Sequence, residues 1–249
     1  MESERPISEA NWCLFLDVDG TLLEIADTPG AVLVDQRLLE LLTRLQAALA
    51  GAVALISGRP VAELDRLFQP HRLPESGVHG LERRDPQGGW HSQNGVDVAM
   101  IAMARERLKR VADRLAGTTL EDKGLAVALH YRQVPQFAGL VRVEARSIQQ
   151  AASNRLAMLE GRMVVELRPH GATKMEAIRE FLKEMPFRGR RPIFIGDDAT
   201  DERALEYVQR VGGLSVAVGD RVRGMLNVAG PREVRAFLER LSVTGVPPG

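Results

Sequence analysis

The chain has 249 residues, 45% of them hydrophobic and 27% charged, values that leave room for one large domain or a core plus a smaller module. Lys+Arg and Asp+Glu are both 33, and a formal charge of zero offers no basic surplus for nucleic acid or an anionic membrane. One cysteine excludes an internal disulfide framework; the polar start MESERPISEA and the lack of a long apolar run carry no leader or membrane span, so a soluble, cytoplasmic protein is expected.

In chain order, Cys13-Leu14-Phe15-Leu16 is an apolar run that ends on Asp17-Val18-Asp19-Gly20-Thr21-Leu22. It predicts a short buried strand with two carboxylates just past its carboxyl end, the edge where open parallel α/β sheets bind ligands. Carboxylates two residues apart there repel unless a cation sits between them or one holds a proton. An isolated D-x-D-G would read as a turn, so the rest of the chain has to decide. After a loop with Asp27, Pro29 and Gly30, a stripe of Leu38, Leu42, Leu45 and Leu49 predicts a helix ended by Gly51. Val53-Ala54-Leu55-Ile56 predicts a second strand running into Ser57-Gly58-Arg59-Pro60, and Val61, Leu64 and Phe68 predict a helix stopped by Pro70. Strand–helix–strand–helix is the pattern of a parallel sheet with right-handed crossovers.

From Pro86 to Pro169 the pattern changes. Turn signals at Pro86-Gln87-Gly88-Gly89 and Gln93-Asn94-Gly95 precede a long helix marked by Ile101, Leu108, Val111 and Leu115. A strand over Leu125–Tyr131 follows, then a helix marked by Leu140, Val143, Ile148 and Leu159 with a solvated Arg- and Gln-rich face, then a strand over Met163–Leu167. These elements read as an inserted α+β module over residues 89–168, with the core in 1–88 and 169–249.

The βα repeat then resumes. A helix runs from Lys174 to Met185 with Ile178, Phe181 and Met185 inward, and a strand Pro192-Ile193-Phe194-Ile195 ends at Gly196-Asp197-Asp198. A helix from Asp201 to Val208, a strand Leu214–Val218 and a closing helix with Val234, Phe237, Leu238 and Leu241 complete the chain. The expected class is α/β, a Rossmann-like doubly wound parallel sheet with an inserted α+β module.

Three strand ends therefore carry polar groups, and in a parallel sheet they share one edge. Convergence puts Asp17, Asp19, Asp197, Asp198 and Asp201 near one point, which implies a cation. An all-oxygen donor set favours Mg²⁺ over zinc, and the five histidines show no metal-ligand spacing. Ser57, the N–H groups of the Asp17–Gly20 turn and Lys174 at a helix start offer donors to an anion. Together they describe a phosphoryl-transfer site, with Asp17 attacking phosphorus and Asp19 protonating the leaving oxygen and then activating water. Asp198 and Asp201 could equally cap the following helix. Cys13 is expected to be an inert buried thiol.

D-x-D-G-T, a strand-end Ser, a Lys and G-D-D in that order resemble the haloacid dehalogenase superfamily of phosphatases. The resemblance implies Asp17 as nucleophile and Asp19 as acid/base, with Lys174 as the third catalytic residue. It also implies Mg²⁺ on Asp17, Asp197 and the backbone carbonyl of Asp19, with phosphate at Gly20, Thr21, Ser57, Gly58, Arg59 and Lys174. Finer motifs resemble the trehalose-6-phosphate phosphatases: Ser57-Gly58-Arg59, Gly77-Val78-His79-Gly80-Leu81-Glu82, Glu121-Asp122-Lys123-Gly124, His130-Tyr131-Arg132, Val165-Glu166-Leu167-Arg168-Pro169 and Gly196 to Glu202. In that family the inserted module is a cap over the sugar, which implies that Glu121, Lys123, Glu166 and Arg162 bind sugar hydroxyls. By the residues alone, Glu121 and Lys123 could also be a solvated ion pair, and His79 and His130 polar residues beside turns. Met175 departs from the family, which usually has Gly after the lysine. The resemblance implies Mg²⁺-dependent hydrolysis of trehalose 6-phosphate, a small-molecule substrate, by a monomer with no nucleic-acid or membrane partner. The same chemistry on another sugar phosphate, a phosphate-accepting sensor without turnover, and a purely structural α/β domain are the competing readings.

Overall fold

The computed structural model describes residues 11–25, 32–93, 95–161 and 163–248. Asp27, Pro29, Gly30, Asn94 and Arg162 lie outside the described residues. The chain divides into two units, residues 1–92 with 173–249, and residues 93–172.

The first unit begins with β1 (Trp12–Leu16), α1 (Gln36–Ala48), β2 (Val53–Ile56), α2 (Val61–Leu67) and β3 (Glu75–Gly77). β4 (Glu82–Arg84) and β5 (Trp90–Ser92) follow as a hairpin closed by the Pro86–Gly89 turn, so this unit runs through Ser92. The second unit holds α3 (Val98–Arg114), β6 (Thr119–Asp122), β7 (Val127–His130), α4 (Ala138–Ala151), β8 (Leu156–Gly161) and β9 (Val164–Pro169). The chain returns to the first unit with α5 (Lys174–Phe181), β10 (Arg191–Gly196), α6 (Glu202–Arg210), β11 (Leu214–Val218), β12 (Leu226–Val228) and α7 (Pro231–Thr244).

In the first unit the sheet order is β12-β11-β10-β1-β2-β3-β4-β5, parallel from β12 through β3 and antiparallel beyond it. β1 is flanked by β2 on one side and β10 on the other, so the strand order reverses there and a crevice opens at the carboxyl ends of these three strands. Both faces of β1 are covered, which is why its sequence is apolar without alternation. Leu14 and Leu16 join the cluster with α1 and α7, through residues such as Leu42, Leu45, Phe237 and Leu241. Cys13 and Phe15 point to the opposite face, where Phe15 stacks on Phe187 with centroids 5.2 Å apart and meets Phe181 at 6.0 Å. Truncating Phe15 to Ala would cost about 3–5 kcal/mol for a cavity of that kind.

In the second unit the sheet order is β6-β7-β9-β8, all antiparallel, with α3 and α4 packed on one face through Ile101, Leu108, Val111, Val141, Ala145 and Ile148.

Three sequence expectations are corrected. Leu140 and Val143 are exposed, because the buried stripe of α4 is Val141, Ala145 and Ile148, whose small middle member hides the period. Leu159 lies in β8, since Ser153 and Asn154 take positive φ (51° and 56°) and end the helix before it. Met185 is exposed; α5 stops at Phe181, Pro186 blocks any continuation and Phe187 fills the inward position instead.

Candidate active site

β1 delivers Asp17 to the crevice, and the Asp17 backbone N–H continues the β1–β10 ladder to the Ile195 carbonyl at 3.0 Å. The chain then turns tightly: Leu22 and Leu23 N–H both donate to the Val18 carbonyl, and Gly20 N–H donates to Leu23 O. Gly20 is demanded twice over. Its φ is +81°, and a Cβ there would lie 2.3 Å from Asp197 Oδ2. Asp17 is 4% exposed; its Oδ2 accepts from Thr21 Oγ1 at 3.1 Å and its Oδ1 from Lys174 Nζ at 2.6 Å.

Lys174 opens α5 behind its N-cap Thr173, a place where the helix dipole disfavours a cation. Two buried carboxylates offset that cost, because Lys174 Nζ also lies 2.7 Å from Asp201 Oδ1. Burial works against the ammonium charge, but Asp17 and Asp201 outweigh it and hold the Lys174 pKa above the ordinary lysine value.

β10 ends at Gly196, and the Asp201 carboxylate folds back so that its Oδ2 accepts from the N–H groups of Asp197 (3.1 Å) and Asp198 (3.2 Å). Asp198 Oδ1 accepts from the N–H and hydroxyl of Thr200 at 2.8 and 2.6 Å, closing a local turn. Carboxylate oxygens of Asp17, Asp197 and Asp201 all lie within 4.8 Å of one another. Burial pushes Asp17 well above the usual carboxylate range, with Lys174 opposing it. Burial, then the neighbouring charges of Asp198 and Asp201, push Asp197 up to about 7. Asp201 is raised by burial as well, again against Lys174.

β2 delivers Ser57, whose N–H donates to Ser76 O at 2.8 Å and whose Oγ accepts from Arg59 N at 3.1 Å. The Ser57–Arg59 loop is clasped by the turn Val78–Gly80, where Val78 and His79 both take positive φ (47° and 54°). Val78 N–H donates to Arg59 O and His79 N–H to Ser57 O. The His79 ring lies so close that a Cβ on Gly58 would be 2.6 Å from its Nε2. Gly80 approaches the start of α5 equally closely, with its would-be Cβ 2.6 Å from Thr173 O. Asp19 stands apart from the Asp17–Asp197–Asp201 trio: Arg59 Nε and Nη2 grip its two oxygens at 2.7 and 2.8 Å.

In the second unit, Glu121, Ala128 and Glu166 lie in one row across β6, β7 and β9 and so share the sheet face that α3 and α4 leave uncovered. The small Ala128 between them leaves room for Lys123, whose Nζ lies 2.8 Å from Glu166 Oε2 and 3.9 Å from Glu121 Oε1. His130 Nε2 lies 2.7 Å from Glu121 Oε2. Burial alone would raise the Glu121 pKa, but the His130 hydrogen bond and the Lys123 charge outweigh it and lower it.

Residues 15–225 match the family model described as trehalose-phosphatase. The chain belongs to the trehalose-phosphatase family. It is 42% identical over 244 residues to the trehalose-6-phosphate phosphatase of Escherichia coli (strain K12), covering 96% of this chain and 90% of that one. It is 44% identical over 216 residues to a protein of Sinorhizobium fredii named "Probable trehalose-phosphate phosphatase", covering 85% and 79%. Among solved structures it superposes on a trehalose-6-phosphate phosphatase related protein with a TM-score of 0.81 at 27% identity, over 94% of this chain and 98% of that one. The C-terminal domain of the Candida albicans trehalose-6-phosphate phosphatase shares the fold at 20% identity, with a TM-score of 0.82 over 95% and 93%.

For this family member the donor chemistry of the trio fits a hard, oxygen-seeking cation, since the ligand atoms that its three acids offer are carboxylate oxygens. The structure brings Asp17, Asp19, Gly20, Thr21, Ser57, Gly58, Arg59, Lys174 and Asp197 onto the first unit, and Glu121, Lys123 and Glu166 onto the second. Asp198 and Asp201 both organise the turn after β10; only Asp201 also meets Lys174. Sequence reasoning passed over Glu63, which Arg59 Nη1 contacts from one helical turn away; the i, i+4 spacing of opposite charges was the available signal.

Proposed function

We propose that this protein is a Mg²⁺-dependent phosphomonoesterase that converts trehalose 6-phosphate to trehalose and phosphate. The observation that carries the reading is Asp17, a buried carboxylate oriented by Thr21 and Lys174 beside Asp197 and Asp201. Asp17 and Asp197, with the backbone carbonyl of Asp19, would hold Mg²⁺, which supplies charge neutralisation at the phosphoryl oxygens. Ser57, the Val18 and Asp19 N–H groups of the Asp17–Gly20 turn and Lys174 bind the phosphate.

An Asp17 carboxylate oxygen attacks phosphorus, the phosphorus–sugar oxygen bond breaks, and Asp19 gives its proton to the leaving oxygen. Asp19 then takes a proton from water as that water attacks the aspartyl-phosphate, releasing phosphate and restoring the Asp17 carboxylate. The Lys174 ammonium beside Asp17 favours its carboxylate form and opposes the burial that raises its pKa. Glu121, Lys123 and Glu166 are read as the sugar-recognising residues; carboxylates and an ammonium on one sheet face are suited to a ring of hydroxyls.

The test is phosphate release with Mg²⁺ from trehalose 6-phosphate beside glucose 6-phosphate, sucrose 6-phosphate and p-nitrophenyl phosphate. Asp17→Asn and an EDTA-treated sample serve as controls. A strong preference for trehalose 6-phosphate, lost in both controls, is expected. Equal slow turnover of all four would overturn the sugar assignment, and turnover by Asp17→Asn would remove Asp17 as nucleophile.

A further inference from the structure

Arg59 is 6% exposed, and its guanidinium forks onto Asp19, with Nε 2.7 Å from Oδ2 and Nη2 2.8 Å from Oδ1. Its Nη1 turns to Glu63 on α2. Asp19 lies within the tight turn after β1, and its side chain is 37% exposed, so the turn alone leaves its carboxylate free to rotate. A planar fork with two parallel N–H groups on one carboxylate sets the plane of that carboxylate as well as its place. The Arg59 backbone is anchored on both sides, since its N–H donates to Ser57 Oγ and its carbonyl accepts from Val78 N–H.

The geometry points to Arg59 as the positioning residue of Asp19, held in turn by Glu63, so that Arg59 serves the departure of the leaving group rather than the grip on phosphate. This rests on the reading of Asp19 as acid/base. The chemistry separates the two roles. A sugar oxygen leaves as a poor, strongly basic alkoxide and needs a proton delivered along a defined line, whereas an acidic phenol leaves with little help. A residue that grips phosphate affects both esters alike, because both carry the same phosphoryl group.

The experiment compares kcat/KM for trehalose 6-phosphate with kcat/KM for p-nitrophenyl phosphate in wild type, Asp19→Asn, Arg59→Met, Arg59→Lys and Glu63→Gln, each first checked for a wild-type melting transition. For Asp19→Asn the alkyl-to-aryl ratio should fall about a hundredfold, the scale of general acid catalysis. Arg59→Met should lower that ratio about tenfold, with Arg59→Lys between it and wild type because an ammonium keeps the charge without the fork. Glu63→Gln should shift it in the same direction by less. In the Asp19→Asn/Arg59→Met double variant the ratio should fall no further than in Asp19→Asn alone. An equal loss on both esters in the Arg59 variants, with the ratio still falling in Asp19→Asn, overturns the inference and returns Arg59 to phosphate binding. An unchanged ratio in Asp19→Asn overturns the acid/base reading and this inference with it.

Discussion

Lys174 Nζ lies 2.6 Å from Asp17 Oδ1, across 157 residues of chain, and 2.7 Å from Asp201 Oδ1. One buried ammonium therefore ties the end of β1 to the turn after β10. Removing it would leave two buried carboxylates without their cation, a loss on the order of 3–5 kcal/mol. Lys174→Met is expected to unfold at clearly lower urea than wild type and to release no phosphate from trehalose 6-phosphate. Denaturant midpoints and a phosphate assay measure both.

Gly20→Ala would place a methyl 2.3 Å from Asp197 Oδ2 on a backbone at φ +81°. The strain is worth about 1–3 kcal/mol, and relieving it displaces the Asp197 carboxylate. The variant is expected to melt a few degrees lower and to need more Mg²⁺ for half-maximal turnover, read from a metal titration.

Glu166→Gln would remove a charge that Lys123 grips at 2.8 Å. A hydrogen bond to a charged group is worth about 1.5–3 kcal/mol, so kcat/KM for trehalose 6-phosphate should fall about ten- to a hundredfold. Turnover of p-nitrophenyl phosphate, which has no sugar, should stay near the wild-type value.

Glu75 on β3 is buried, and burial pushes its carboxyl up to about 8 against the pull of Arg84. The folded protein thus keeps a proton that the unfolded chain releases above its ordinary value of 4.5. Between these two values the folded state binds the more protons, so this contribution to stability is full below the lower one and declines as pH rises to the upper. Urea midpoints measured from pH 5 to 8 should fall less steeply in Glu75→Gln than in wild type.

Cys13 is fully buried on β1, and burial pushes its thiol up to about 12, with Arg190 opposing. The thiolate is the reactive form, so a thiol reagent at pH 8 should leave the native protein unlabelled and label it once in denaturant. Mass spectrometry distinguishes the two.

The legible part of this fold was the part that a local pattern encodes. β1, β2, β10 and β11 are buried on both faces and read as apolar runs, and α1 and α7 show their stripes openly. β3, β4 and β5 did not show: each has three residues, too few for a period, and they carry Glu75, Arg83 and Arg84 in buried or half-buried positions where charge disguises a strand. The α4 stripe was misplaced because Ala145, its buried centre, adds little hydrophobic signal.

The candidate site divides in the same way. The residue types at the strand ends, Asp17 and Asp19, Ser57 and Asp197, are legible in the sequence, and with them the expectation of a cation, because several carboxylates share a cleft poorly unless neutralised. The partners come from packing across the sheet: Lys174 between Asp17 and Asp201, Arg59 on Asp19 rather than loose at the crevice, and Glu121 and Glu166 in one row across Ala128. Periodicity and turn chemistry act over a few residues of chain. Strand order, register and the packing of β1 between β2 and β10 act across the whole sheet, and they set which side chains, distant in sequence, come within a hydrogen bond of one another.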